Sequence, residues 1–315
     1  MQYRKLGNTG LKVSEISLGS WQTYGGYVEK EKAMQSIHRA YELGINFFDT
    51  ANIYERGEAE KVVGEALRQY PRESYVIATK VYGKMGDGPN DSGLSRKHIM
   101  EQCEASLKRL GLDYVDIYYC HRFHEETPLE ETLRAIDDLV TQGKVLYVGV
   151  SMWTAAQMTE AHAIADRYLL DRIVVNQPVY NMFDRHIEKE IIPTCTEKGI
   201  GQVVYSPLAQ GILAGKYRKG EKIPEDSRAA KRNWKEDRIP VEQLEKVEQL
   251  EGIAKEIGLT LPQLALAWVL RQPNVSSALI GASRPEQVEE NCAASGVKLS
   301  QDVLDKIEEI LQNRP

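Results

Sequence analysis

Residues 46–54 read Asn-Phe-Phe-Asp-Thr-Ala-Asn-Ile-Tyr. This segment combines the end of a predicted strand with two polar residues that could form part of a site. A short apolar run from Ile45 to Phe48 stops at the acid Asp49, and Tyr54 follows five residues later. Apolar runs of this length are typical of buried strands. A carboxylate directly after such a strand is either a turn or cap residue or part of a functional site. Taken alone, Asp49 favours the turn, because Asp is common in turns.

Strand-like and helix-like segments alternate along the chain after an opening hairpin. The hairpin is predicted for residues 1–15, around the turn Gly7–Gly10. The predicted strands are Ile16–Ser20, Ile45–Phe48, Tyr75–Thr79, Val115–Cys120, Val145–Val150, Ile173–Asn176, Gly201–Tyr205 and Ser277–Ile280. The predicted helices are Lys30–Leu43, Glu58–Leu67, Ser95–Leu110, Leu129–Thr141, Thr154–Tyr168, His186–Lys198, Val241–Ile257, Leu261–Arg271, Pro285–Ala293 and an appended Val303–Leu311.

Eight strands that alternate with helices predict an α/β fold of parallel βα units. Eight is also the number that closes a (β/α)8 TIM barrel, here with an N-terminal β-hairpin and extra C-terminal helices. An open doubly wound sheet is the alternative, but it would carry a GxGxxG turn after the first strand, where residues 18–21 read Leu-Gly-Ser-Trp. We find no linker and predict one domain over residues 1–315. The polar segment Lys216–Arg238 is long enough to form a lid.

Composition excludes several classes of partner. The net charge of −6 and the pI near 5.7 argue against nucleic acid or an anionic membrane. The four cysteines form no CxxC pair, so we predict free thiols and no metal site. Neither a signal peptide nor an apolar run of membrane-spanning length is found. We expect a soluble, cytoplasmic protein that acts on a small molecule as a monomer, although an oligomer stays open.

Polar residues stand where the predicted strands end, and in a barrel those ends form the active site. Asp49, Lys80 and His121 follow three adjacent strands, and Tyr54 lies in the loop after the first of them. Each alone has an ordinary explanation, as a turn residue, a solvated charge or a packing residue. Their meeting at the same rim of the barrel is much harder to explain by chance, so we interpret the group as a site.

The four side chains suit proton donation to a carbonyl oxygen. Tyrosine has a pKa of about 10, and a nearby ammonium stabilises its phenolate and lowers that pKa. Asp49 would keep Lys80 charged, and His121 would hydrogen-bond the carbonyl oxygen while Tyr54 protonates it. No side chain supplies hydride, so a nicotinamide cofactor is implied. A Schiff-base lysine at Lys80, as in barrel aldolases, is a different interpretation that pairing with Asp49 disfavours.

The chain resembles an aldo-keto reductase over nearly its whole length. The start, residues 3–14, resembles the hairpin of that family, and residues 48–54 match its FDTAxxY segment. Asp49, Tyr54, Lys80 and His121 match its catalytic tetrad. Residues 201–216 and 280–291 resemble a bacterial branch related to the β subunits of voltage-gated potassium channels. The resemblance implies NADPH-dependent reduction of aldehydes or ketones to alcohols, with transfer of the pro-R hydride of the cofactor and Tyr54 as the proton donor.

The same resemblance implies the cofactor and substrate residues. The nicotinamide ring would stack on Tyr205, and Ser151 and Gln177 would hold its amide. With the resemblance, the hydroxyl and guanidinium of Ser283 and Arg284 at a helix start favour NADPH over NADH. By themselves, an N-cap serine and a solvated arginine are the more common explanation of these two residues. Other branches place Lys-Ser and Arg where this chain has Gly281-Ala282 and Gln287, so a flap across the pyrophosphate would contribute more here. The remaining predicted contacts are Gly19, Ser20, Trp21, Asp49, Ser206, Leu208, Gln210, Gly211, Lys216, Arg228, Gly281, Gln287, Glu290 and Asn291 for the cofactor, and Trp21, Tyr24, Tyr54 and His121 for the substrate.

A rival interpretation is a regulatory subunit that holds NADPH as a redox sensor. The resemblance includes channel-associated proteins that carry an amide at the position of His121. The histidine therefore favours an active enzyme. The lack of a long segment before the hairpin, which a tethering role could use, points the same way.

Overall fold

The computed structural model describes residues 1–224, 227–231, 239–313 and 315, and for Arg228 and Lys231 it describes the backbone alone. These residues contain ten strands. The first two form an antiparallel hairpin, and the other eight form a closed parallel barrel in which the last strand pairs with the first. The strands are β1 Tyr3–Lys5, β2 Lys12–Ser14, β3 Ile16–Gly19, β4 Phe47–Asp49, β5 Val76–Val81, β6 Val115–Cys120, β7 Val145–Ser151, β8 Ile173–Gln177, β9 Gly201–Tyr205 and β10 Val275–Ile280.

The predicted (β/α)8 barrel with its hairpin is thereby confirmed. Helix starts follow local chemistry: Ser95 accepts the backbone N–H of His98, and Thr154 forms a capping box with Gln157. The helices are α1 Lys30–Glu42, α2 Glu58–Leu67, α3 Arg96–Leu110, α4 Leu129–Thr141, α5 Ala155–Tyr168, α6 Ile191–Lys198, α7 Arg228–Lys231, α8 Val241–Glu256, α9 Leu261–Leu270, α10 Pro285–Cys292 and α11 Gln301–Leu311.

Several elements differ in their bounds from the sequence prediction, and β4, for example, covers Phe47–Asp49 and so includes Asp49. The helix predicted over His186–Lys198 is broken into a 3-10 turn at His186–Glu188 and the helix α6, which begins at Ile191. Pro193 explains the late start, because proline has no N–H to donate and is tolerated only in the first turn of a helix. Strand β5 runs on to Val81, so Lys80 lies inside the strand rather than after it.

Strand alternation determines which side chains face the inside of the barrel. Phe47, Ile117 and Tyr119 belong to an inner apolar cluster, whereas their neighbours Phe48 and Cys120 pack in the outer cluster between the barrel and the helices. Successive side chains on a strand point to opposite faces. By the same alternation, Asp49 after Phe48 and His121 after Cys120 point back toward the barrel axis. Cys120 itself packs in the outer cluster, away from the barrel axis.

Within the described residues, no single helix is long and apolar enough to cross a membrane. Helices α8 and α9 pass that test only as a pair, and they are bent by 89° with respect to each other.

The hairpin turn packs against the start of β9, and Gly7 makes this contact possible. Its φ is +55°, and a Cβ there would lie 2.3 Å from the carbonyl oxygen of Gly199 and 2.7 Å from the amide nitrogen of Gly201. Left-handed backbone is costly for residues with a Cβ. We expect Gly7→Ala to lower the free energy of unfolding by more than about 2 kcal/mol in urea denaturation, since a backbone clash adds to roughly 1–2 kcal/mol of strain.

Two glycines provide matched controls for this prediction. Gly143 has a φ of +69° with no atom within 4 Å of an added Cβ, and Gly10 has open space without a positive φ. Gly143→Ala should show the strain alone, and Gly10→Ala should stay within about 0.5 kcal/mol of the parent. Equal losses for Gly7→Ala and Gly143→Ala would show that the hairpin contact is not tight.

Candidate active site

Lys80 and Asp49 form an ion pair buried at the mouth of the barrel, with side chains 0% and 1% exposed. Lys80 Nζ donates to Asp49 Oδ1, to the carbonyl oxygen of Thr50 at 2.8 Å and to Tyr54 Oη at 3.2 Å. An ammonium has three N–H groups, so three oxygen acceptors satisfy it completely. The predicted link from Asp49 through Lys80 to Tyr54 is therefore present in the geometry.

The carboxylate of Asp49 is held from both sides. Gln177, at the end of β8, reaches across the barrel and donates its amide to Asp49 Oδ2 at 2.9 Å. The backbone carbonyl of Asp49 accepts the N–H of Ser20 at 3.0 Å, and Ser20 Oγ donates to Thr50 Oγ1 at 2.9 Å. Buried polar groups need such partners, because an unpaired one costs free energy. Gln177 and Ser20 thus support the ion pair.

Tyr54 and His121 face each other above the ion pair. Tyr54 begins the 3-10 turn Tyr54–Gly57, and its ring meets the His121 ring edge-on with centroids 5.7 Å apart. His121 directly follows β6, and its backbone N–H donates to the carbonyl of Val81 on β5 at 2.9 Å. The phenol of Tyr54 and the imidazole of His121 therefore lie next to each other and line the same cavity.

Burial sets the protonation states of these groups. It raises the pKa of Tyr54 well above 10, the charge of Asp49 raises it further, and Arg122 opposes the shift. Burial lowers the pKa of His121 well below 6.5, and the charges of Lys80 and Arg122 add to this. The expected lowering of the Tyr54 pKa is therefore wrong in direction, because desolvation and the charge of Asp49 outweigh the opposing charge of Arg122. Tyr54 is a neutral phenol and His121 a neutral imidazole at neutral pH.

Within the ion pair, burial lowers the pKa of Lys80 and raises the pKa of Asp49, and each partner opposes the shift of the other. The three hydrogen bonds of Nζ and the two of the carboxylate favour the charged forms.

A cavity of about 610 Å³ opens from Tyr54 and His121, passes the ring of Tyr205 and extends to the start of α10. Trp21 meets Tyr205 edge-on, with ring centroids 6.2 Å apart. Most of the predicted site residues line it, although they come from separate strands and loops. They are Gly19, Trp21, Tyr54, His121, Ser151, Gln177, Tyr205, Ser206, Leu208, Gln210, Gly211, Lys216, Gly281, Ser283, Arg284, Gln287, Glu290 and Asn291.

Other predicted site residues lie elsewhere. Tyr24 is 1% exposed and packs in the outer core, because the loop after β3 curls back and its N–H donates to the carbonyl of Ser20. It therefore does not line the cavity, and the prediction that it contacts substrate is wrong. Ser20, Asp49 and Lys80 are buried behind the wall rather than on it. The side chain of Arg228, and residues 225–226 and 232–238 of the predicted lid, lie outside the described residues.

Several lining residues were missed by sequence reasoning. Glu55 and Arg122 directly follow Tyr54 and His121, so reading one residue further would have found them. Tyr217 likewise follows the predicted contact Lys216, whereas Pro262 comes from a segment that only the packing brings to the cavity. The lining residues that were missed are Gln22, Thr23, Tyr27, Ile53, Glu55, Arg122, Pro207, Ala214, Tyr217, Pro262, Leu279 and Ile280.

The cavity has the features that a nicotinamide dinucleotide needs. Tyr205 offers a flat ring near Tyr54, and the cations Lys216 and Arg284 line the cavity as well. Among the described residues, the buried oxygens Tyr217 Oη, Thr23 Oγ1 and Gln22 Oε1 have no hydrogen-bond partner, and a polar ligand in the cavity could satisfy them. Within the residues that the structure describes, no group of three His, Cys, Asp or Glu side chains could hold a metal ion.

Comparison with known proteins agrees with this geometry. The profile of the Aldo/keto reductase family matches residues 15–312. The chain belongs to the aldo/keto reductase family. Membership implies NAD(P)-dependent oxidoreduction, which is the chemistry that the cavity and the four polar side chains suit.

Similar proteins of this family carry channel-related names. A protein of Arabidopsis thaliana named "Probable voltage-gated potassium channel subunit beta" is 48% identical over 323 aligned residues, which cover 100% of this chain and 98% of that protein. A protein of the same name from Oryza sativa subsp. japonica is 45% identical over 323 residues, with the same coverage. A protein of Schizosaccharomyces pombe with a name of the same kind is 46% identical over 329 residues, covering 99% and 94%. The expected likeness to channel β subunits is confirmed, but these relatives are eukaryotic and do not support a bacterial branch.

Removal of the Asp49 carboxylate should show how much free energy it costs to bury the Lys80 ammonium without a counter-ion. We expect Asp49→Asn to lower the free energy of unfolding by about 3–5 kcal/mol, because it leaves the Lys80 ammonium buried without its counter-ion. The control is Asp166→Asn, which breaks an ion pair with Arg172 whose side chains are 50% and 58% exposed. That change should cost less than about 1 kcal/mol. Equal effects in urea denaturation at pH 7 would contradict the central role of the buried pair.

Proposed function

We propose that this aldo/keto reductase reduces aldehydes or ketones to alcohols with NADPH, as an alcohol dehydrogenase type of enzyme acting on CH–OH groups in the reverse direction. The observation that carries the proposal is the hydrogen-bonded chain from Asp49 through Lys80 to Tyr54 Oη, with the neutral ring of His121 beside it. We further propose that residues 1–315 act as one domain. The free thiols among the described cysteines support a reducing, cytoplasmic location.

Each of the four polar side chains has its own role in the proposed proton transfer. NADPH, when bound, would supply the hydride. Tyr54 donates its phenolic proton to the carbonyl oxygen as negative charge develops there, and His121 donates an N–H hydrogen bond to the same oxygen. Lys80 donates to Tyr54 Oη and so stabilises the phenolate that remains. Asp49 keeps Lys80 charged and, together with Gln177, fixes its position.

The preference for NADPH rests on the polar end of the cavity. Ser283 donates its N–H to Gln287 Oε1 at 2.9 Å, which orders the turn before α10. Arg284 lies 3.7 Å from Glu286, a distance that leaves its guanidinium able to bind phosphate. Lys216 lines the same cavity after the 3-10 segment Ala209–Ala214. These cations would favour the 2′-phosphate of NADPH over the bare hydroxyl of NADH.

A second candidate function comes from the names of the relatives. A chain that aligns with channel β subunits over nearly their full length could associate with channel subunits and hold NADPH as a slow redox sensor. Turnover distinguishes the two functions. Repeated oxidation of NADPH in the presence of a reactive aldehyde supports the enzyme, and a stoichiometric burst followed by a stall supports the sensor. His121 favours the enzyme, because it places an N–H donor beside Tyr54.

A Schiff-base aldolase is less favoured. A lysine must lose a proton before it attacks a carbonyl, and all three donors of the Lys80 ammonium already have acceptors. Borohydride should therefore trap no adduct on Lys80.

Replacement of the proton donor tests the proposal. We expect Tyr54→Phe to lower kcat for aldehyde reduction by about 10²–10⁴-fold, the usual contribution of a general acid, while NADPH still binds. Tyr82→Phe is the control, because Tyr82 is half-buried, packs edge-on against His124 and lies outside the cavity lining. NADPH oxidation is followed by absorbance, with NADH in parallel, and binding by fluorescence. Undiminished reduction by Tyr54→Phe would refute the assigned role.

The pKa shifts predict how the rate depends on pH. Tyr54 acts when protonated, and its raised pKa delays any loss of the proton to pH values above 10. His121 acts as a neutral donor, and its lowered pKa delays protonation to values below 6.5. With NADPH saturating, kcat/KM for the aldehyde should therefore stay flat from about pH 6.5 to about pH 10. A loss of rate centred near pH 8, with hydride transfer still rate-limiting by its deuterium isotope effect, would contradict these shifts.

A further inference from the structure

Arg122 lies on the wall of the cavity beside the proton-donor site. It directly follows His121, and its Nη1 donates to the carbonyl oxygen of His121 at 2.6 Å and to Ser151 Oγ at 3.4 Å. The side chain is exposed to the cavity. Among the described residues no carboxylate lies within ion-pair distance of this guanidinium. The carbonyl oxygen of His121 and the hydroxyls of Ser151 and Tyr205 orient Arg122, and none of them carries a charge that would neutralise it.

The other cations that line the cavity are placed differently. Arg284 precedes α10 and lies 3.7 Å from Glu286, and Lys216 follows the 3-10 segment Ala209–Ala214. Both belong to the part of the cavity proposed for the phosphates of the cofactor. Arg122 instead follows β6, next to the residue proposed to contact the carbonyl oxygen. Its charge is therefore available to the substrate rather than to the phosphates.

The electrostatics of the reacting groups support this separation. Apart from the phenol of Tyr205, the groups whose charges shift the pKa values of Tyr54 and His121 are Asp49, Lys80 and Arg122. Asp49 and Lys80 neutralise each other as a hydrogen-bonded pair, so Arg122 carries the charge left over near the substrate. Glu55 also lines the cavity, but it is exposed to solvent and is not among the charges that shift these two groups.

We propose that the carbonyl substrate of this enzyme carries a carboxylate, and that Arg122 binds it. The proposal rests on the reductase function given above and names its substrate class as oxo acids. A guanidinium matches the planar geometry of a carboxylate, and such charge-assisted hydrogen bonds are stronger than neutral ones. The ring of Trp21 lines the same cavity and offers an aromatic surface that suits an aromatic or apolar body between the carbonyl and the acid.

The reaction itself is unchanged by this assignment. The carbonyl carbon gains hydride from NADPH, its oxygen gains the proton of Tyr54, and the carboxylate stays intact while it is held by Arg122. A carboxylate that binds equally in the ground state and the transition state lowers KM more than it raises kcat. The effect of Arg122 should accordingly appear mainly in KM.

Matched pairs of acid and amide test the proposal. The substrates are 3- and 4-formylbenzoate and the corresponding formylbenzamides, which are close in size and differ in charge. We expect wild-type enzyme to prefer at least one acid over its amide by about tenfold or more in kcat/KM, and Arg122→Gln to abolish that preference with little change for the amides. Arg122→Lys should retain part of the preference, and added salt should weaken it.

Arg167→Gln is the control for net charge. Arg167 is exposed in the last turn of α5, on the side of the barrel away from the carboxyl ends of the strands. It should leave both kcat/KM values and their ratio unchanged. The melting temperature of each variant, together with its activity on the amides, shows whether the site is intact.

The outcomes separate this proposal from the reductase function. Reduction of acids and amides with equal efficiency, or an acid preference that survives in Arg122→Gln, overturns the role of Arg122 and leaves the reductase standing. If neither acids nor amides are reduced, the reductase function fails. Calorimetric binding of 4-(hydroxymethyl)benzoate and 4-(hydroxymethyl)benzamide to the complex with NADP⁺ then decides the role of Arg122. Tighter binding of the acid that is lost in Arg122→Gln supports it, and equal binding overturns it.

Discussion

The buried ion pair between Lys80 and Asp49 is the interaction on which the rest of the site depends. Taking two charges out of water is costly, and their attraction repays the cost only when the remaining donors and acceptors are also satisfied. Here Thr50, Tyr54 and Gln177 supply those partners. The ends of β4 and β5 and the end of β8 across the barrel therefore have to meet around the pair. Because a well-packed apolar group would often be as stable, we infer that the pair is retained for chemistry.

The environment of this pair also explains the protonation states around it. Desolvation is the largest influence on both Tyr54 and His121, and it favours the neutral form of each. A neutral phenol is a proton donor and a neutral imidazole still offers one N–H, so burial prepares both groups for a carbonyl oxygen that gains negative charge. In the proposed reaction, Lys80 would stabilise the phenolate of Tyr54 only as it forms. Arg122 remains as the uncompensated charge on the substrate side, which is why the proposed substrate is an anion.

Much of the fold and of the site could be predicted from the sequence, because both follow from local pattern. Eight apolar runs separated by helical periodicities predict a closed parallel barrel, and the polar residue that ends each run marks its rim. Asp49, Lys80 and His121 were found in this way and Tyr54 in the loop after the first of these strands, and the geometry brings the four together. The predictions that failed depend on three-dimensional packing. Tyr24 and Trp21 both follow β3, but the loop buries Tyr24 in the core while Trp21 lines the cavity. Arg122 lines the cavity as well, although it was not predicted to do so.

The sequence by itself determined the order of the elements, the face that each strand turns inward and the residue types available at the barrel mouth. These depend on periodicity and on near neighbours, and both can be read along one stretch of chain. Only the tertiary structure decided how deeply each group is buried and which distant partner it meets. Asp49 and Gln177 are separated by 128 residues, yet they share a hydrogen bond. The direction of the Tyr54 pKa shift follows from the same cause, because desolvation depends on everything packed around a group and not on its neighbours in sequence.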